Sequence, residues 1–175
     1  MNSDYKALFT DLMAICVFKK SPKALPDSNA LTLKLMLLYG LSGFFLLSAG
    51  AATDVAAIKA FIEALLLAAF VYGLLAFFCV LNRYNQTLSA LFGAGVLFTM
   101  ASLPLVYLVE AAKSADKPVG IENLLLLVVF GWSLAVMTYI ISAGTNKSIS
   151  ISGLLTFCYL YSSYYVIHLI YPVVN

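Results

Sequence analysis

Long apolar runs without a single charge dominate the chain. Five windows lack Asp, Glu, Lys and Arg altogether: 35–53, 64–82, 84–109, 123–146 and 148–175. The first two hold 19 residues each and the others 26, 24 and 28. A helix rises 1.5 Å per residue, so about 20 apolar residues cover the roughly 30 Å of bilayer hydrocarbon. Each window therefore crosses once and none crosses twice. Lipid offers the backbone no hydrogen-bond partner, which makes every crossing helical. The alternating ten-residue segments of a transmembrane barrel are absent. The pattern predicts an all-α, polytopic membrane helix bundle with five transmembrane helices, at about 31–51, 62–82, 87–109, 122–143 and 149–173.

A different period precedes the first span. Tyr5, Leu8, Phe9, Leu12, Met13 and Cys16 recur every three or four residues, while Asp4, Lys6, Thr10 and Asp11 fill the other face. That spacing predicts an N-terminal amphipathic interfacial helix of about four turns. Lys19 and Lys20 follow it, suited both to a helix C-terminus and to anionic headgroups. With Lys23 and Arg83 they are the basic residues expected at the membrane surface. The segment does not read as a secretory signal peptide, because its basic residues follow the apolar ones. Residues 1–29 thus form a cytoplasmic amphipathic segment and Pro-containing linker, and 30–175 the transmembrane domain.

Composition agrees with this division and narrows the class. The chain has 175 residues, of which 63% are hydrophobic and 10% charged. Soluble domains carry about 25% charged residues, so a soluble enzyme, a disordered chain and a nucleic-acid-binding domain are excluded. Local signals mark the boundaries. Asp27 or Ser28 can cap the first span, and Lys34 can snorkel from its first turns. Asn82–Asn85 and Gly144–Lys147 are tight polar turns, and Pro118 with Gly120 breaks the chain before span four. Small residues at helical spacing (Gly40 with Gly43, Ala60 with Ala64 and Ala68, Ser89 with Gly93, Gly131 with Ala135) offer close helix packing. Seven basic residues fall on the side of the N-terminus and three on the other. By the positive-inside rule the N-terminus is cytoplasmic and the C-terminus outside.

Candidate chemistry is sparse. His168, the one histidine, stands among Tyr159, Tyr161, Tyr164, Tyr165 and Tyr171 near the end of span five, where an interfacial role is expected. Cys16, Cys79 and Cys158 have no CxxC spacing and read as packing residues. No set of metal ligands and no cofactor motif is present, so none is expected. The acids sit at the edges of the charge-free windows. Glu63 and Glu110 come closest to the bilayer, and both read as solvated helix ends. Pro104 should kink span three and free a carbonyl one turn earlier, which Thr99 and Ser102 can satisfy. The residues singled out as intramembrane polar or interface positions are Glu63, Thr99, Ser102, Pro104 and His168.

Two hairpins, spans two–three and four–five, carry similar turns: Asn85-Gln86-Thr87-Leu88-Ser89 and Asn146-Lys147-Ser148-Ile149-Ser150. This arrangement, with a cytoplasmic N-terminal segment and the run Phe18-Lys19-Lys20-Ser21-Pro22-Lys23-Ala24-Leu25-Pro26-Asp27-Ser28, resembles the YIP family of small five-helix membrane proteins, especially its compact bacterial relatives. The resemblance implies a five-span bundle and, from the eukaryotic members, membrane-trafficking partners. It supplies no catalytic residue. The long acidic or Pro-rich cytoplasmic domain of those eukaryotic members has no counterpart in the sequence.

Abundant packing signals and scarce chemistry favour a non-enzymatic scaffold or accessory subunit. Its partners are the lipid bilayer and another membrane protein or a second copy of the chain. A small transporter or channel component is the alternative, with a polar pathway drawn from Glu63, Tyr72, Asn82, Thr99, Ser102, Thr138 and Ser142. A lipid-modifying enzyme built on His168 and the outer carboxylates ranks last. The sidedness has a direct check. A reporter fused after Asn175 should be active only outside the cytoplasm, and cytoplasmic activity would reverse the assignment.

Overall fold

The computed structural model describes residues 2–50, 52–115 and 120–170. Asp116, Lys117, Pro118, Tyr171 and the end of the fifth expected span lie outside the described residues, as does the Asp4 side chain. Six α-helices follow in order: α1 (Asn2–Cys16), α2 (Asn29–Ser48), α3 (Thr53–Phe77), α4 (Tyr84–Ser114), α5 (Ile121–Thr145) and α6 (Ile149–Ile170). There is no strand among the described residues. Helices α2 to α6 are each long and apolar enough to cross a membrane, as a multi-pass membrane protein requires.

Local chemistry sets the helix ends. Ser28, of the two candidate caps, accepts the Leu31 N–H at 3.4 Å, while Asp27 accepts from the Asn85 amide at 2.7 Å. At the far end of α3 the Val80 N–H reaches the Leu75 carbonyl at 2.9 Å, with Cys79 in the left-handed region at φ 56°. Phe18 after α1 (φ 60°) and Asn146 after α5 (φ 55°) turn the chain in the same way. Helix α3 begins well before the expected residue 62. Asp54 and Lys59 end an apolar window, but in Ala-rich sequence they do not end a helix.

The five long helices close into a ring. In order around it, α2 touches α4, α4 touches α5, α5 touches α6, α6 touches α3, and α3 returns to α2. Helices α2 and α4 run parallel, so the expected α3–α4 hairpin is only a loose pair, and α4 packs chiefly on α2 and α5. Large apolar side chains cover the outside, among them Leu33, Leu37 and Leu41 of α2 and Leu124, Leu127 and Val128 of α5. Gly131 and Ala135 also face outward, and Cys158 is exposed on α6.

Helix α4 is the hub. Its residues Thr87 to Ala94 are buried on every side. Small residues make this possible. A Cβ on Gly93 would come within 2.5 Å of Leu12 of α1, and one on Gly95 within 2.5 Å of the Tyr39 ring. A Cβ on Gly144 of α5 would meet the Thr87 hydroxyl at 2.7 Å. Ser89 and Thr32 share a buried hydrogen bond of 2.8 Å between α4 and α2. The helix runs unbroken through Pro104. Ser102 donates to the Phe98 carbonyl at 2.9 Å, so it does not satisfy the Met100 carbonyl that the proline frees.

Helix α1 divides its apolar stripe between two surroundings. Leu12, Ile15 and Cys16 are buried against α4 and α5, whereas Tyr5, Phe9 and Met13 are exposed. The Trp132 indole donates to the Cys16 carbonyl at 3.0 Å. Trp132 lies about 20 Å along α5 from Thr145, which puts the end of α1 far from that end of the ring. The positive φ of Phe18 costs roughly 1–2 kcal/mol for an L-residue. Its ring is held against Trp132 at 5.6 Å and edge-on to Tyr139 at 5.4 Å, which offsets that cost. Lys20 folds back to Asp11 at 2.6 Å, and Lys23 reaches Asn146 at 2.9 Å.

Burial pushes the Cys16 thiol up to about 11. A maleimide at pH 8 should therefore label exposed Cys79 and leave Cys16 untouched in detergent-solubilised protein. Trp132→Ala, which removes the anchor of α1, should open Cys16 to labelling. Equal labelling of both thiols in the unsubstituted protein would contradict the docking of α1.

Candidate functional site

The ring holds a partly open cavity of about 360 Å³ whose wall includes residues from α2, α3, α4, α5 and α6. Most of the wall is apolar. Its polar groups are Tyr39, Glu63, Thr99, Ser102, Ser133 and Tyr159. No Lys, Arg or His side chain contributes to it. Glu63 is therefore the one formally charged side chain lining the space.

Glu63 is the eleventh residue of α3, about 15 Å from the helix start. It is partly buried, and this corrects the expectation of a solvated helix end. The reason is the early start of α3, which carries the carboxyl more than two turns into the helix. Tyr39 donates its hydroxyl to Glu63 Oε1 at 3.5 Å. The Tyr39 ring lies on the backbone of Gly95 and packs against Phe92 at 5.3 Å, so α4 aims the hydroxyl at α3.

Tyr159 approaches from α6. Its ring packs on Phe70 at 5.1 Å, and its buried hydroxyl makes no hydrogen bond of good geometry among the described residues. Buried polar groups nearly always find a partner, so this oxygen stands out. Ser102 and Ser133 donate their protons to the Phe98 and Phe130 carbonyls at 2.9 and 2.7 Å. What they offer the cavity is lone pairs. The site thus sets two acceptor-only hydroxyls beside the Glu63 carboxyl, while the Thr99 and Tyr159 hydroxyls can accept or donate.

Of the residues singled out from sequence, Glu63, Thr99 and Ser102 meet at this cavity. Pro104 is exposed, one short step beyond Ser102. His168 is exposed too and stacks on Tyr164 at 6.0 Å, so it is not joined to the carboxyl. No three His, Cys, Asp or Glu side chains converge among the described residues. Tyr72 and Asn82 are exposed, Thr138 donates across to Thr156 at 3.1 Å, and Ser142 donates to the Lys147 carbonyl at 2.7 Å. None of these four lines the cavity. Lys19, Lys20, Lys23 and Arg83 likewise lie away from it. Arg83 donates to the Gly144 carbonyl at 3.4 Å, which ties two turns together at one end of the ring.

Sequence reasoning missed Tyr39, Ser133 and Tyr159. The signal lay in polar residues at helical spacing within apolar runs. Ser152, Thr156, Tyr159 and Ser163 follow each other by four, three and four, and all are buried. In a helix surrounded by lipid such a stripe marks the inward face.

An unpaired buried hydroxyl costs about 1–3 kcal/mol, so removing it should not destabilise the protein. Tyr159→Phe should leave the thermal midpoint in detergent unchanged or raise it. A clear fall would show that the hydroxyl is bonded in the folded chain. No protein-family model, curated protein or solved structure matches this sequence.

Proposed function

We propose that the protein is a small transporter or channel component whose ligand site is the cavity around Glu63. One observation carries this reading. A carboxyl sits well inside a ring of five membrane-length helices, on a wall to which all five contribute. Ionisable groups at such depth are costly and face substrate or ion pathways. A bundle that needed only to pack would place an apolar residue there.

The scaffold or accessory-subunit reading draws on a different feature, the apolar edge of α1. Tyr5, Phe9, Met13 and Val17 are 57%, 56%, 44% and 45% exposed at steps of four residues. In this reading the edge rests on the bilayer interface or on another membrane protein. The two roles are compatible, since the edge and the cavity lie on opposite sides of α4. The basic end of the ring is taken as cytoplasmic from the seven-to-three distribution of basic residues, and the resemblance to compact bacterial proteins suggests a bacterial inner membrane. The YIP-like arrangement accommodates either role.

Water access tests the pathway without knowledge of the ligand. With the three native cysteines replaced, Thr99→Cys and Ser102→Cys in membrane vesicles should react with a charged methanethiosulfonate. Leu37→Cys, on the outer face of α2, should not. Failure of both cavity positions to react from either side of the membrane would remove the transporter reading.

A further inference from the structure

The polar groups of the cavity also select a class of ligand. We propose that it binds a small organic cation, a protonated amine on an apolar or aromatic body. Glu63 serves as counter-ion, and Ser102, Ser133 and Tyr159 accept its N–H groups. This rests on the reading of the cavity as a ligand site and adds the charge and chemistry of the occupant.

Charge comes first. Glu63 is the one acidic side chain on a wall that holds no Lys, Arg or His. A carboxylate removed from water is strongly favoured by a cation beside it. An anionic ligand would meet that carboxyl on a wall without a basic side chain.

Hydrogen bonding points the same way. Ser102 and Ser133 have already donated their protons to backbone carbonyls, so each presents an oxygen that only accepts. The Tyr159 hydroxyl, on a residue only 6% exposed, has no partner of good geometry among the described residues. Glu63 receives a single hydrogen bond among the described residues, the 3.5 Å contact from Tyr39. An ammonium group has up to three N–H donors and no acceptor, which matches the carboxyl and the two committed serines, and the Thr99 and Tyr159 hydroxyls can turn their lone pairs to it.

Size and surface settle the rest. A volume of about 360 Å³ is far larger than a metal ion needs, and one carboxylate supplies few of the hard ligands a divalent cation takes. Tyr39, Phe98, Phe130 and Tyr159 bring aromatic rings to the wall. Aromatic faces attract ammonium ions and pack well against an apolar body. Two further grooves among the described residues lack this combination. The groove between α1 and the linker before α2 has Asp11, but Lys20 already pairs with it at 2.6 Å.

Three probes of one shape separate the possibilities: phenethylammonium, phenethyl alcohol and phenylacetate. Radiolabelled phenethylamine is measured on the full chain in lipid nanodiscs, with empty nanodiscs as the blank. Binding should be saturable, and tenfold excess of the alcohol, the acid or sodium chloride should not displace it. Loss of a charge-assisted contact lowers affinity by about tenfold or more, the effect expected for Glu63→Gln. Tyr159→Phe should weaken binding by about threefold, the scale of one neutral hydrogen bond. Glu110→Gln, remote from the cavity, should change nothing.

Equal competition by the alcohol, or displacement by sodium, would overturn the assignment to amines while leaving a ligand cavity in place. Unchanged affinity in Glu63→Gln would overturn the role of the carboxyl. If that variant does not fold, the competition series on the unsubstituted protein decides alone. Absence of any binding above empty nanodiscs would overturn the proposal, and the thiol-access experiment would then judge the pathway reading separately.

Discussion

The close approach of neighbouring elements to the waist of α4 governs this fold. Lipid provides no hydrophobic force between helices, so contact must come from packing and hydrogen bonds. Gly93 admits Leu12, Gly95 admits the Tyr39 ring, and Thr87 fits against Gly144. Each contact fixes a different neighbour: α1, α2 and α5. A larger side chain at any of the three glycines would push one of them outward. The ring order, the depth of α1 and the aim of Tyr39 toward Glu63 all follow from this narrow stretch.

The ring also explains how one carboxyl can sit so far inside. Its hydroxyl neighbours come from different helices, and none of them brings a positive charge. The helices that supply them are joined by polar contacts of their own, such as Thr32 to Ser89 and Thr138 to Thr156. Those contacts lie outside the cavity wall, so much of the polar joining of these helices does not draw on its side chains.

Much of the architecture is legible in the sequence, because charge is nearly forbidden within a span and its absence shows on inspection. Five helices of membrane length, the polar turns at 82–85 and 144–147, and a helix at the N-terminus can all be read that way. Helix starts cannot. Asp54 and Lys59 look like the flank of a span, yet the helix continues through them to Glu63. That single difference moves the carboxyl from an edge to the interior and changes the functional reading. Which face of each helix turns inward was readable in part, from stripes such as Ser152, Thr156 and Tyr159. The ring order was not, since chain order pairs α3 with α4 while packing pairs α4 with α2 and α5.

The docking of α1 carries a consequence for how the chain is made. Its anchor, Trp132, lies 116 positions after the Cys16 carbonyl it binds, and its seat, Gly93, belongs to the third long helix. During synthesis from the N-terminus, α1 emerges before either surface that it docks on, first the α4 seat and then the α5 anchor. A chain stopped before α5 would therefore lack the Trp132 anchor and hold α1 by its α4 contacts alone.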